Sequence, residues 1–121
     1  AIAHRIEAAS DMFLMPSRFE PCGLNQMYSL KYGTIPIVRA TGGLADTVEE
    51  FNYRTGRGNG FVFHNTDPGE LIRAVDRAVN TYFNKSVWHG IMQNAMACNY
   101  SAARSAEVYI EVFKWALEKV R

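Results

Sequence analysis

Between a short apolar run, Met12-Phe13-Leu14-Met15, and an amphipathic segment opening at Leu24 lies the stretch Pro16-Ser17-Arg18-Phe19-Glu20-Pro21-Cys22-Gly23. This order encodes a strand, a tight turn and a helix start. It leaves one carboxylate and one glycine at the C-terminal end of a strand. In open parallel sheets ligands bind at that end, and a helix N-terminus is suited to hold an anion. Glu20 precedes Pro21, which biases it away from helical backbone angles, so its carboxylate is expected on an extended corner. Gly23 permits a positive φ or a close approach of backbone to a ligand.

The rest of the chain repeats the alternation. Residues 1–10 have helical spacing at Ile2, Ile6 and Ala9, and residues 12–15 read as a buried strand. Leu24, Met27, Tyr28 and Lys31 share a helical face, with Gly33 as C-terminal cap. Residues 35–38 read as the next strand, although Pro36 argues against a fully paired central position because it cannot donate to a ladder. Thr41-Gly42-Gly43-Leu44 forms a second glycine turn after a strand, and residues 45–48 are either one helical turn or the start of another strand. A polar loop over 52–60 leads to a short strand at 61–63.

Three helices are expected to follow. Asp67 caps the first, with Pro68 at its first position and Glu70 as capping-box partner. Its apolar face is Leu71, Ile72, Val75, Val79, Tyr82 and Phe83. The second runs from Ser86 to about Ala97 and buries Trp88, Ile91, Met92, Ala95 and Met96. The third starts near Ser101 with a stripe of Ala102, Ala106, Tyr109, Ile110, Phe113, Leu117 and Val120. Aromatic and methionine stripes of this kind are core by default. The pattern predicts an α/β fold: a partial Rossmann-like parallel sheet with flanking helices. Only about three strands are visible where such sheets usually have more, and the chain opens partway along a helical pattern. A preceding portion is therefore expected, together with exposed apolar surface where it is lacking.

Composition narrows the function. The chain's 121 residues suffice for one compact domain with a core. Net charge is +1 without a run of like charge, against the concentrated basic patch of a nucleic-acid or membrane-surface protein. No apolar run approaches the length that spans a bilayer. The two cysteines, Cys22 and Cys98, form neither a disulfide framework nor a zinc spacing. His4, His64 and His89 lack metal-ligand spacing as well.

Glu20 is the leading candidate for chemistry, as an acceptor of hydrogen bonds from ligand hydroxyls; the plain alternative is an exposed loop glutamate. The Gly23 and Leu24 amides could meet a phosphate, or simply belong to an ordinary turn. Thr41, Gly42 and Gly43 form a second loop of the same type. Two such loops after neighbouring strands would converge on one crevice, which fits an anionic ligand with hydroxyls: a sugar phosphate or nucleotide sugar. Gly56, Gly58 and Gly60 imitate a dinucleotide fingerprint, but a strand follows where a helix is required. They read as a flexible loop and not as a dehydrogenase signature. Cys22 reads as a packing or ligand-contact residue, since no histidine lies near it in sequence.

The run Ser17-Arg18-Phe19-Glu20-Pro21-Cys22-Gly23-Leu24-Asn25-Gln26, then residues 31–39 and Thr41-Gly42-Gly43-Leu44-Ala45-Asp46-Thr47-Val48, resembles the C-terminal domain of bacterial glycogen synthase and plant starch synthase. Gly60-Phe61-Val62-Phe63, Trp88, Asn94-Ala95-Met96 and Ser105-Ala106 with Tyr109 extend the likeness over nearly the whole chain. The resemblance implies that residues 1–121 are the nucleotide-sugar-binding, C-terminal half of a retaining glycosyltransferase of the GT-B architecture. Its activity would be transfer of glucose from ADP-glucose, or less often UDP-glucose, to the non-reducing end of an α-1,4-glucan, without a metal. It further implies that Glu20 binds the glucose hydroxyls and that Cys22 and Gly23 line the glucose site. The Gly23 and Leu24 amides would face the phosphates, with Asn25 beside the diphosphate and Tyr28 toward the ribose. Thr41, Gly42 and Gly43 would lie near the transferred glucose and the acceptor.

Several departures qualify the likeness. Asn25 stands where many relatives have threonine, and Tyr28 where the wider glycosyltransferase pattern has a second glutamate. Tyr100-Ser101-Ala102 replaces an aromatic-rich Phe-Ser-Trp. The K-x-G-G glucan motif, the diphosphate-clamping Arg and Lys and the adenine-stacking aromatic are expected in a segment preceding this one. The implied location is a bacterial cytoplasm, or else a plastid. Two other readings remain beside it: a non-catalytic carbohydrate- or nucleotide-binding module, and a related GT-B enzyme using another sugar donor.

Overall fold

The computed structural model describes residues 2–120. The expected helix at the start is present as α1 (Ile2–Ala8), with Ala1 outside the described residues. It is followed by β1 (Met12–Met15), α2 (Asn25–Tyr32), β2 (Ile35–Arg39), α3 (Gly43–Thr47), β3 (Phe61–Phe63), α4 (Pro68–Tyr82), α5 (Lys85–Ala97) and α6 (Ala102–Val120). The three strands form one parallel sheet in the order β1-β2-β3. Met12 pairs with Ile35 and Met15 with Val38, while Ile37 pairs with Phe61. An α/β fold with a small parallel sheet and flanking helices is thus what the chain forms.

The period-2 alternation of β2 and β3 divides the core between the two faces of the sheet. Ile35, Ile37, Phe61 and Phe63 lie on one face, in a cluster with Leu30, Ala74, Ala78, Trp88, Ile91 and Ala95. Val38 lies on the other, with Leu44 of α3 and Val48. On the first face the Trp88 and Phe61 rings stack at 6.4 Å, and Tyr82 meets Trp88 edge-on at 5.3 Å. Burying rings of this size contributes much of the stability of so small a sheet.

Pro36 departs from expectation, since β2 is the central strand. The Ile35 N–H donates to the Asp11 carbonyl on the β1 side. Alternation turns the next backbone nitrogen, that of Pro36, toward β3, where the ladder begins only at Ile37–Phe61. Gly60 fills that place, and a Cβ there would stand 2.6 Å from the Pro36 carbonyl oxygen. The missing donor therefore faces a position where no ladder bond is required.

Helix α4 also differs in detail. Its fully buried face is Ala74, Ala78 and Thr81, small side chains that let the helix sit close on the sheet, while Ile72, Val79 and Phe83 are exposed. Leu71, Val75 and Tyr82 pack at the margin of the core. Asp67 caps the helix by accepting from the Glu70 N–H at 2.9 Å. The Glu70 carboxylate does not return to the cap. It accepts from the His64 and Asn65 N–H groups at 3.0 and 2.9 Å, bracing the turn after β3. Those donors, Asn65 first, hold its carboxyl down at about 2.

Three further expectations change. Met96 is half exposed, so α5 buries only Trp88, Ile91 and Ala95 fully. The 52–60 loop is stapled rather than free: Asn94 of α5 donates to the Gly56 and Gly58 carbonyls at 2.7 and 2.9 Å. Helix α6 buries none of its residues, so its stripe is not core.

Candidate functional site

The register of the sheet places the two glycine loops side by side. Because Met15 pairs with Val38 in parallel, the segments that follow β1 and β2 leave the same edge of the sheet. They then meet backbone to backbone. A Cβ on Gly42 would fall 1.7 Å from the Glu20 carbonyl oxygen, and one on Gly43 would fall 1.8 Å from that of Cys22. Gly42 also has a φ of +48°, which side-chain-bearing residues rarely adopt. Only glycine allows the loops to approach this closely. Residues 45–47 complete α3, so the helical-turn alternative holds there.

Around this junction stand the residues singled out from the sequence. Glu20 is half-buried, and among the described residues no group is hydrogen-bonded to its carboxylate. Cys22 is exposed and carries a free thiol. Gly23 has a φ of +72° and turns the chain into α2, whose cap Leu24 supplies no side-chain acceptor. Leu24 and Asn25 are exposed at that helix start. Tyr28 lies one turn further on, its ring edge-on to His4 at 4.8 Å. The Thr41 and Gly42 carbonyls accept the Leu44 and Ala45 amides as α3 begins. The face shared by Leu24, Met27, Tyr28 and Lys31 is turned away from the core. It lines a groove of about 470 Å³ with residues 98–102, while α2 buries Gln26, Ser29 and Leu30 instead.

Four residues that the sequence reading left without a role hold this edge together. Arg39, at the end of β2, donates from Nε to the Ser17 carbonyl at 2.8 Å, from Nη2 to that of Arg18, and from Nη1 to that of His64 at 3.1 Å. It gathers the segments after β1 and β3. Gln26 and Thr47 bridge the two glycine loops. Asn59 donates from Nδ2 to the Thr47 carbonyl at 3.1 Å and accepts the Glu49 N–H at 2.8 Å. Tyr100 donates to the same Thr47 carbonyl at 2.9 Å. Partial burial, and then the Cys98 thiol beside it, push the Tyr100 phenol up to about 12, so it stays a donor through the neutral range. A polar residue next to a glycine motif was the only sequence signal for these roles, because burial and long-range partners are not local properties.

The arrangement can hold a ligand that combines hydroxyls with negative charge. It offers a half-buried carboxylate, a helix start and two backbone turns at one sheet edge. Among the described residues, no group of three or more His, Cys, Asp or Glu side chains is placed to hold a metal ion.

A family model described as "Glycosyl transferases group 1" matches residues 2–89. The chain belongs to that family. Among relatives, this chain is 53% identical over 120 residues to a glycogen synthase of Fervidobacterium nodosum, covering 99% of the chain and 25% of that protein. It is 57% identical over 120 residues to a glycogen synthase of Desulforudis audaxviator, covering 98% and 24%. Among solved structures, the catalytic domain of starch synthase IV from Arabidopsis thaliana, bound to ADP and acarbose, superposes with a TM-score of 0.85. That match has 39% identity and covers 97% of this chain and 24% of the other. The chain spans about a quarter of the length of the curated relatives it matches. None of its described helices is long and apolar enough to cross a membrane.

Proposed function

We propose that residues 1–121 form the nucleotide-sugar-binding, C-terminal domain of a glycogen or starch synthase. The whole enzyme transfers glucose from ADP-glucose or UDP-glucose to the non-reducing end of an α-1,4-glucan with retention, in a bacterial cytoplasm or a plastid. The glucan reaches the domain from an N-terminal partner domain across the cleft. The observation that carries this reading is the interlocked pair of glycine loops around Glu20, in a chain more than half identical to glycogen synthases.

On this reading Glu20 accepts hydrogen bonds from the glucose hydroxyls and orients the sugar, which is a proximity effect. Cys22 and Gly23 line the glucose, and Thr41, Gly42 and Gly43 close the opposite side near the acceptor. The Gly23 and Leu24 amides, with Asn25 beside them, stabilise charge gathering on the departing nucleoside diphosphate. Donors aimed in advance at developing charge contribute most when water is excluded. Tyr28 sits toward the ribose. The bond from C1 of glucose to the diphosphate breaks as the glucan 4-hydroxyl oxygen bonds to C1 on the same face, and the hydroxyl proton passes to the departing diphosphate oxygen.

The test is glucosyl transfer onto glycogen by the full-length protein, with each nucleotide sugar offered separately. Glu20→Ala is expected to cut kcat/KM by about a hundredfold or more, with the melting temperature little changed. Unchanged turnover would remove Glu20 from the site. Donor binding without any transfer would favour a non-catalytic binding module.

A further inference from the structure

We infer that Gln26 and Thr47 form a polar clamp that sets the spacing of the two glycine loops, and that Gln26 is thereby a positioning residue for transfer. This inference rests on the proposed function for its kinetic consequence. Its geometric content stands without it.

Gln26 is fully buried in the second position of α2, where an apolar side chain would be the ordinary occupant. Its Nε2 donates to the Gly23 carbonyl at 3.0 Å, to the Cys22 carbonyl at 3.2 Å and to the Thr47 hydroxyl oxygen at 3.2 Å. The Thr47 hydroxyl in turn donates to the Gly43 carbonyl at 2.6 Å. One chain of donors therefore runs from the first loop to the second. The close approach of the backbones explains why it is needed. With Gly43 against the Cys22 carbonyl, the carbonyl oxygens of Cys22 and Gly23 both face the Gln26 amide nitrogen. The Gln26 amide supplies donors to both, and its bond to Thr47 ties them to α3.

The orientation of the Gln26 amide follows from the same set, because turning it over would aim its oxygen at two carbonyls. The cost of this orientation is visible. Gln26 Oε1 is buried and has no hydrogen-bond partner among the described residues. It lies under Gly23, where an added Cβ would stand 2.5 Å from it. An unpaired buried amide oxygen is unfavourable, and an apolar side chain of the same shape would avoid it. Its retention is understandable if the amide's donors hold something that an apolar side chain would not. What they hold is the distance between the loop bearing Glu20 and Cys22 and the loop of residues 41–43.

The test uses the full-length protein with ADP-glucose and UDP-glucose as donors. Gln26→Met and Thr47→Val keep the shape and remove the donors, while Thr47→Ser keeps the hydroxyl. Gln26→Met and Thr47→Val are each expected to lower kcat by about tenfold or more, with donor KM moving much less, because misplacement acts at the transition state. Thr47→Ser should retain activity near the parent's. The double variant should fall no further than the worse single, as for groups that share one interaction. Multiplicative losses, or Thr47→Ser failing as badly as Thr47→Val, would overturn the clamp.

Amide hydrogen exchange separates failure of the clamp from failure of the functional reading. Gln26→Met or, should it not fold, Thr47→Val is expected to speed exchange over residues 22–24 and 41–47 while leaving α4 and α5 unchanged. Unchanged exchange would overturn the clamp even if transfer were slowed. Local acceleration in a parent protein that transfers from neither nucleotide would instead uphold the clamp and sink the proposed activity.

Discussion

Helices α5 and α6 follow one another in the chain, and each carries apolar residues and a tryptophan. Yet Trp88 in α5 is 2% exposed and Trp115 in α6 is 57% exposed. Helix α5 finds α2, α4 and β2 to pack against. Helix α6 finds nothing comparable among the described residues, although Val108, Val112 and Trp115 add a second apolar face to the predicted stripe. A helix apolar on more than one side is built to be enclosed. The contrast teaches that periodicity reports which side of a helix seeks cover. Whether cover exists within the same chain depends on the sheet, and among the described residues the three strands meet α2, α3, α4 and α5 but not α6.

The sharpest way to break the packed region is at its tightest junction. Gly43→Ala would put a methyl group where the Cys22 carbonyl oxygen stands, so the two loops must separate. In the full-length enzyme this should lower kcat by about a hundredfold or more, the cost of a displacement near 1 Å at a reacting centre. Transfer kinetics with either nucleotide sugar check it. Normal turnover would mean that the junction can open without consequence for the chemistry.

Trp88→Ala attacks the same region through its core. The indole stacks on Phe61 and meets Tyr82 edge-on, so truncation leaves a cavity that small neighbours cannot fill. A loss of about 3–5 kcal/mol is expected in denaturant unfolding. A loss below about 1 kcal/mol would show that the core repacks easily.

The difference between the two helices also marks how far the sequence could be read. Strands β1 and β3 and the cap of α4 were legible because short apolar runs, Pro68 and Asp67 act locally. The pairing of two glycine loops was legible for the same reason: each follows a strand, and parallel neighbours send their loops to one edge. Pro36 misled because its tolerance depends on where β3 begins, which is a property of register. Asn59 and Arg39 were silent because each acts on a backbone 10 or more residues away, and Gln26 and Thr47 because their side chains meet across 21 residues. The sequence shows a glutamine three residues after a glycine; only the fold shows that it is buried.

Tyr100 joins the two regions, and its effect should be smaller. Its hydroxyl anchors the segment before α6 to the Thr47 carbonyl. Tyr100→Phe should cost about 0.5–1.5 kcal/mol, the usual net worth of one hydrogen bond. The sign of its pH dependence follows from a folded-state value raised to about 12 from 10. The folded chain then holds the phenolic proton more tightly than the unfolded chain. This contribution is fully present below pH 10 and is lost as pH rises toward 12. Unfolding measured from pH 9 to 12 should show a decline that is shallower in Tyr100→Phe. Equal slopes would mean that the phenol is as well solvated in the fold as out of it.

The smallest effect is expected at Phe113, and it decides whether the contrast is real. Phe113 lies in the stripe of α6 with 63% of its surface exposed, and its ring pairs with that of Tyr109, at 6.4 Å and tilted. Truncation in the 121-residue chain removes little that was buried, so Phe113→Ala should change unfolding by no more than about 0.5 kcal/mol. The same measurement on Trp88→Ala supplies the reference. If Phe113→Ala cost several kcal/mol at high dilution, α6 would be packed against the body in solution. The two helices would then be equivalent, and the sequence stripe alone would have been the better guide. If the cost appeared only at high protein concentration, the cover would come from another copy of the chain. A null effect at every concentration leaves α6 as a helix whose apolar faces the three-stranded sheet does not reach.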